Sequence, residues 1–273
     1  MAYITKITTQ QKNKERYNVF IDYGKGEEYA FSVNQDVLIK FHLKKGLELD
    51  ELDLTEIQFE DDIKKALNQA LVFLSYRMRS EKEIVAHLKS KEVDDQVIPD
   101  IIHKLKSLNY VDDLEFAQAY VKTQINTSSK GPGIIKQELI EKGVSRDIIE
   151  SSLALFSKED QVETALKLTT KIQKKANKVS KIQQKQKTEE MLMRKGFSWD
   201  VIQIVNEEVA TDDDDPEKDE EWEAVQYQGR KAHSRYKKYE GWEYEQKMKQ
   251  ALYRKGFSMD LISRFIELMK EEE

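Results

Sequence analysis

The sequence contains no cysteine, which excludes disulfides, thiolate zinc sites and a cysteine nucleophile and points to a reducing compartment. Three prolines and 35% charged residues in a chain of 273 describe something too long for one small core and too charged for one large core. A string of small cores suits it better. No apolar run approaches the roughly 20 residues of a membrane span. The start, MAYITKITTQ, lacks the apolar centre of a signal peptide, so a soluble cytoplasmic protein is expected. His42, His87, His103 and His233 stand at no ligand-like spacing. Gly24-Lys25-Gly26 and Lys130-Gly131-Pro132-Gly133 lack the spacing of a phosphate-binding loop, and the acidic run near Asp212 has Glu217 where a calcium loop needs glycine. Asp112 and Asp113 read as helix caps rather than as a general acid pair. Nothing forms a catalytic constellation, so no enzyme, cofactor or metal is expected. The formal net charge of -6 argues mildly against a surface wholly devoted to nucleic acid.

What is present is a repeat. Leu139-Ile140-Glu141-Lys142-Gly143-Val144-Ser145-Arg146-Asp147-Ile148-Ile149 returns at Leu192 to Ile202 and Leu252 to Ile262, both containing Arg-Lys-Gly-Phe-Ser, and more weakly at Leu88 to Ile98. The pattern reads as a helix end, a tight joint and the next helix start. Gly143, Gly196 and Gly256 occupy left-handed positions, and Ser145, Ser198 and Ser258 cap the following helices. In the first copy Glu92 replaces the glycine, so that joint must close differently or carry about 1 kcal/mol of left-handed strain. A period of about fifty to sixty residues fits three short helices per unit.

The expected fold is therefore mainly α: tandem three-helix repeats forming an elongated curved array, with a small β-rich N-terminal cap. The cap covers residues 1–54, with strands around Tyr17 to Tyr23 and Tyr29 to Val33, a third strand from Tyr3 to Thr8, and a short helix capped by Asn34 and ended by Gly46. Repeat 1 covers 55–108, opening on a capping box from Thr55 to Gln58; repeat 2 covers 109–157 and repeat 3 covers 158–210. An acidic insertion with repeat 4 completes 211–273. Two charge runs stand out: Lys167 to Lys187, with eight lysines and no acid, and Glu207 to Glu223, strongly acidic and expected to be a solvated loop.

Positive charge on this scaffold supplies the candidate binding residues: Arg77, Arg79 and Lys82 at one helix boundary, Lys130 and Lys136 in the second repeat, and Lys142, Arg194, Lys195, Arg254 and Lys255 just before the later joints. A solvated face, or cations favouring helix carboxyl ends, is the plain alternative.

At these residues the chain resembles the RecX family, regulators of the recombinase RecA. The resemblance is carried by Leu74-Ser75-Tyr76-Arg77-Met78-Arg79-Ser80-Glu81-Lys82-Glu83 leading to Leu88. It continues in Tyr110-Val111-Asp112-Asp113 with Phe116-Ala117 and Tyr120-Val121, and in Lys130-Gly131-Pro132 with Ile135, Leu139 and Gly143. These cover residues 66 to 150, and the distal repeats match more loosely. Met78 and Glu92 depart from the usual pattern. The resemblance implies tandem three-helix repeats, no enzymatic activity, and a monomer that binds along the groove of the RecA filament on DNA. There it modulates, mainly inhibiting, recombination and the associated ATPase in DNA repair and the SOS response. The length of four stacked repeats predicts separately that one copy spans several recombinase subunits. A direct DNA binder is the first rival, with nonspecific contact through Lys167 to Lys187. The helices that would enter a groove argue against it: Arg146 to Phe156 has one base, Trp199 to Val209 none, and Met259 to Met269 only Arg264. A generic helical scaffold is the second rival.

Overall fold

The computed structural model describes residues 2–173, 178–212 and 220–272. It divides into two compact units, Met1–Ala117 with Glu141–Ile148, and Gln118–Ile140 with Ile149–Glu273.

In the first unit, alternation of apolar residues builds an antiparallel sheet in the order β3-β2-β1-β4, from β1 (Ala2–Thr9), β2 (Arg16–Asp22), β3 (Glu27–Asn34) and β4 (Glu48–Leu49). The fourth strand is not visible as an alternating run, because two residues are too few to show a period. The expected inward face holds for Val19, Ile21, Phe31 and Val33, while Tyr23 and Tyr29 are exposed; a register shift between Val19 and Phe20 interrupts strict alternation. Asn34 caps α1 (Gln35–Lys40), as expected, but Gly46 does not end it. The chain leaves at His42, which takes φ 50°.

The next helix, α2 (Glu51–Ser75), starts earlier than Thr55. Asp50 and Asp53 form the capping box, and the Thr55 hydroxyl instead donates to the Glu51 carbonyl inside the helix. Two carboxylates three apart can replace the Thr and Gln pairing, which is why the earlier start was missed. This helix serves two cores. Ile57 closes the core under the sheet, while Ala66, Leu67 and Ala70 pack with α3 (Glu81–Ser90) and α4 (Ile98–Ser107) through Ile84, Leu88, Ile101, Ile102 and Leu105. Between the two sets, Asp61 is 2% exposed. It accepts from Arg16 at 2.8 Å and from the Asn34 N–H at 2.7 Å, and pairs with Lys65 at 3.0 Å. A buried carboxylate needs this much compensation.

The later helices are α5 (Asp113–Thr127), α6 (Pro132–Glu141) and α7 (Arg146–Leu153), then α8 (Lys158–Gln173), α9 (Lys181–Arg194) and α10 (Trp199–Asp212), then α11 (Glu220–Tyr236), α12 (Gly241–Tyr253) and α13 (Met259–Glu272). Each of the last two triplets closes its own core. One contains Ala165, Leu192, Phe197, Ile202 and Val205, the other Val225, Met248, Leu252, Phe257 and Phe265. The basic run from 167 to 187 is shared between α8 and α9, with residues 174–177 outside the described part; Ser180 caps α9. Of the acidic run, Glu207 to Asp212 belongs to α10 and Glu220 to Glu223 to α11, so these parts are helix rather than the expected loop; residues 213–219 lie outside the described part.

The joints close as the spacing requires. Gly143, Gly196 and Gly256 take φ 82°, 86° and 81°. At the third joint the Phe197 N–H donates to the Leu192 carbonyl at 3.1 Å and the Gly196 N–H to the Met193 carbonyl at 2.9 Å, the doubly bonded left-handed helix end. Glu92, at φ 59°, closes the same way through Val93 to Leu88 and Glu92 to Lys89, and so do Asn109 at φ 57° and His42. Left-handed geometry alone therefore does not demand glycine in this chain. Close approach does. A Cβ on Gly196 would lie 2.5 Å from the Ile134 backbone nitrogen, and one on Gly143 would lie 2.6 Å from the Lys82 Cβ.

Replacing Gly196 with Ala is expected to destabilise by more than about 2 kcal/mol, since the left-handed cost of about 1 kcal/mol is joined by a clash with backbone. Replacing Glu92 with Gly is expected to be neutral or stabilising, because only the conformational strain is relieved. Urea unfolding of the two variants measures the difference, and equal losses would show that backbone conformation rather than contact selects the glycine.

Candidate functional site

The candidate cations gather around one recurring construction. In the first unit, Ser80 is fully buried at the start of α3. Its hydroxyl accepts from the Glu83 N–H at 3.3 Å and donates to the Lys142 carbonyl at 2.7 Å, next to the Gly143 joint of the following repeat. In the second unit the start of α6 does the same with backbone. The Gly131 N–H donates to the Lys195 carbonyl at 2.7 Å and the Gly133 N–H to the Gly196 carbonyl at 2.9 Å. At the start of α9 the buried Ser180 hydroxyl donates to the Lys255 carbonyl. The carbonyl just before each joint glycine is thus taken by the second helix of the preceding repeat. Residues 142, 195 and 255, chosen from sequence as cations, also act through their main chain. The periodic spacing identified the joints but not their partners, since partnership lies roughly 60 to 75 residues away.

The side chains divide into committed and uncommitted groups. Arg77 reaches Glu83 at 2.9 Å, and Lys142 reaches the same carboxylate at 3.2 Å. Burial alone would raise the Glu83 carboxyl, but hydrogen bonds from Arg77, the Ser80 N–H and Lys142 outweigh it and hold it down at about 2. Lys82 donates to the Glu141 carbonyl at 3.0 Å. Arg79 lies 4.1 Å over the Phe73 ring, and His87 stacks on Phe73 at 4.0 Å. Two groups at that distance must use opposite faces of the ring. The Arg79 Nε is buried without a hydrogen-bond partner, so this side chain is held mainly by stacking. Lys130 pairs with Glu138 at 2.5 Å and Lys136 with Glu150 at 3.8 Å. Among the described residues, Arg194, Lys195 and Arg254 form no ion pair, and Lys255 donates to the neutral Gln228 amide at 2.6 Å. Asp112 caps α5 through the Leu114 and Glu115 N–H groups, as expected. Asp113 instead accepts from the Glu81 N–H at 2.9 Å, capping α3, and burial raises its carboxyl.

Equivalent positions at the last three joints also expose large apolar side chains. Ile140 is 50% exposed, Met193 50% and Tyr253 64%. Two of them directly precede the unpaired Arg194 and Arg254. At the end of α2, Tyr76 and Met78 are exposed on either side of Arg77. Ile140, Met193 and Tyr253 are not among the candidate residues that the sequence offers. Their equivalence becomes visible only when the copies are aligned on the joint glycine. Among the described residues, no group of three or more His, Asp or Glu is placed to hold a metal ion, and no helix is long and apolar enough to cross a membrane.

A chain of three-helix units joined by shared joints, carrying recurrent apolar and basic surface positions, defines a helical-repeat protein. The regulatory protein RecX N-terminal domain matches residues 2–50, the first RecX three-helix domain 66–105 and the second 112–153; the third matches twice, at 159–205 and 219–266. The regulatory protein RecX of Bacillus cytotoxicus is 49% identical over 272 residues, covering 100% of both chains. That of a Geobacillus species is 50% identical over 271 residues, covering 99% of this chain and 98% of the relative. A crystal structure of regulatory protein RecX superposes with a TM-score of 0.67 at 39% identity over 76% of this chain and 100% of that one. RecX from Lactobacillus salivarius does so with 0.54 at 37% identity, over 56% of this chain and 99% of that one. The chain belongs to the RecX family of regulatory proteins.

Glu83 stabilises the fold above the ordinary carboxylate range, and that contribution is lost as pH falls from about 4.5 toward 2. Glu83→Gln is expected to destabilise by about 1–2 kcal/mol at neutral pH and to flatten this part of the stability profile. Thermal melts across that range check it; an unchanged profile in the variant would remove Glu83 as the anchor.

Proposed function

We propose that this chain is a nonenzymatic regulator that binds the RecA recombinase filament along its groove and modulates, mainly inhibiting, recombination and the linked ATPase in the cytoplasm. Family membership along the whole chain supports a regulator. The observation that carries the filament reading is the recurrence of Ile140, Met193 and Tyr253 at equivalent joints, with Arg194 and Arg254 following the last two. A surface repeated along a chain suits a partner that is itself a repeat of identical subunits. Each further unit then binds at the high effective concentration set by its neighbour, so avidity rises although single contacts are weak. Tyr76, Arg77 and Met78 offer the corresponding contact beside the first repeat. Lys82, Lys130, Lys136 and Lys142, held in internal bonds, serve as rim charges, and the protein acts as a monomer.

A pull-down with RecA, with and without single-stranded DNA and a slowly hydrolysed ATP analogue, tests the reading. Retention is expected on the assembled filament, together with a slower ATPase. Absence of both effects would overturn it.

Two substitutions probe the recurrent surface. Met193→Asp with Tyr253→Asp is expected to speed dissociation from the filament while shifting stability by no more than about 0.5 kcal/mol per exposed site. Identical dissociation rates would show that these positions face away from the partner.

A chain ending at Ala210 keeps every buried residue of the third-repeat core through Val205. It is expected to fold, to bind the filament and to leave it faster than the full chain. Equal release rates would mean that the repeats do not act together.

A further inference from the structure

Helix α11 carries Arg230, Lys231 and Arg235, followed by Lys237 and Lys238, with no acidic residue between Ala224 and Tyr239. Tyr227, Lys231 and Arg235 recur every four residues and so share one face of the helix; all three are exposed. Gln228 gathers two further cations beside this face. Its Nε2 donates to the Lys178 carbonyl at 2.6 Å, and its Oε1 accepts from the Lys255 Nζ at 2.6 Å. The Lys178 and Lys231 ammonium groups lie 4.7 Å and 4.5 Å from the Tyr227 ring centroid.

Neighbouring cations of the same repeat find carboxylates. Arg230, on the same helix, pairs with Glu272 at 2.8 Å, and Lys270 pairs with Glu245 at 2.6 Å. Among the described residues, Lys178, Lys231, Arg235 and Lys255 form no ion pair. Lys178 and Lys231 rest on the Tyr227 ring and Lys255 on the neutral Gln228 amide instead. The Lys255 ammonium is lowered first by burial and then by Arg235 and Lys231, so the charges acting on it share its sign. Four cations held together without a counter-charge raise one another's energy, and a polyanion laid across them relieves that repulsion.

We propose that Lys178, Lys231, Arg235 and Lys255, with Tyr227 between them, form a binding site for the phosphodiester backbone of a single-stranded nucleic acid. Single strands fit better than a duplex or an acidic protein surface for two reasons. Lysines, one on an exposed helix side and two in the adjoining turns, supply point charges that follow a backbone without reading base edges. An exposed tyrosine ring among them, once its lysines turn to phosphate, offers a face on which an unpaired base stacks. The acid-free stretch after Ala224 was legible in the sequence, but residues 178 and 255 join it only through folding.

The test is fluorescence anisotropy of labelled oligothymidylate, oligouridylate and a duplex of matching length with the purified full chain, in the absence of recombinase. Its outcome is therefore separate from that of the filament reading. Lys231→Gln with Arg235→Gln is expected to weaken single-strand binding about tenfold at moderate salt and to lower the slope of log affinity against log salt by about one per lost phosphate contact. Tyr227→Ala is expected to weaken binding of both single strands while leaving the salt slope unchanged. Arg230→Gln, which removes the same charge from an existing ion pair on the same helix, is expected to have far less effect, with all variants melting like the parent. Wild-type affinity and salt slope in the Lys231 and Arg235 double variant would overturn the proposal. Equal losses from the Arg230 variant, or a preference for duplex, would overturn it too. So would the double variant losing contact with an acidic protein partner while keeping its affinity for single strands.

Discussion

One backbone carbonyl per joint carries the architecture. A helix end leaves its last carbonyls without intrahelical partners, and in this chain the carbonyl just before each joint glycine is filled by the helix start of the preceding repeat. A helix start brings N–H groups or a capping hydroxyl, which are what the carbonyl lacks. The contact joins two sets of unsatisfied groups and leaves neither buried alone. It also fixes how closely two repeats approach. At Gly196 that approach is backbone against backbone, which is why Gly131 and Gly133 stand opposite it. Glycine in these joints is a packing requirement added to a conformational one. Glu92 shows the second without the first.

The first repeat has the β cap beside it instead, and the fold handles that boundary with charge. Arg16, the Asn34 N–H and Lys65 converge on Asp61, so sheet, short helix and long helix share one buried carboxylate. Removing either partner of such a group leaves a charge or a donor stranded, a loss of about 3–5 kcal/mol for a buried pair. The sheet of four strands is thereby held to a helix whose other half belongs to the first repeat.

The helical content, the joints and the caps by Ser80 and Ser258 were readable because they depend on residues within one turn of each other. Ser80 with Glu83 and the left-handed glycines are of this kind. What was not readable depends on distance. The carboxylate at Asp61 sits four residues after Ile57, on the same helical face, and that position on an apolar stripe was a usable sign of burial; its partners, 27 and 45 residues away, were not. The candidate cations show the same limit. Their positions at helix ends were visible, but whether a given one meets a carboxylate, a ring or solvent is decided by how the helices pack. Arg77 and Arg79, adjacent but for one methionine, meet Glu83 and the Phe73 ring for that reason.

The joint contact runs in one direction only: each of the first three repeats lends its second helix start to the joint of the next. The last such start, Gly241 at the head of α12, has no side-chain cap, and a Cβ placed there would meet nothing within 4 Å. A contact that each repeat makes only with the next lets such an array lengthen by copying a unit, because the copy brings its own helix start and its own joint carbonyl. The double match of one three-helix domain to residues 159–205 and 219–266 is the trace such copying would leave. Repeat number in this fold is then a quantity that selection can adjust a whole unit at a time, without redesigning the units already in place.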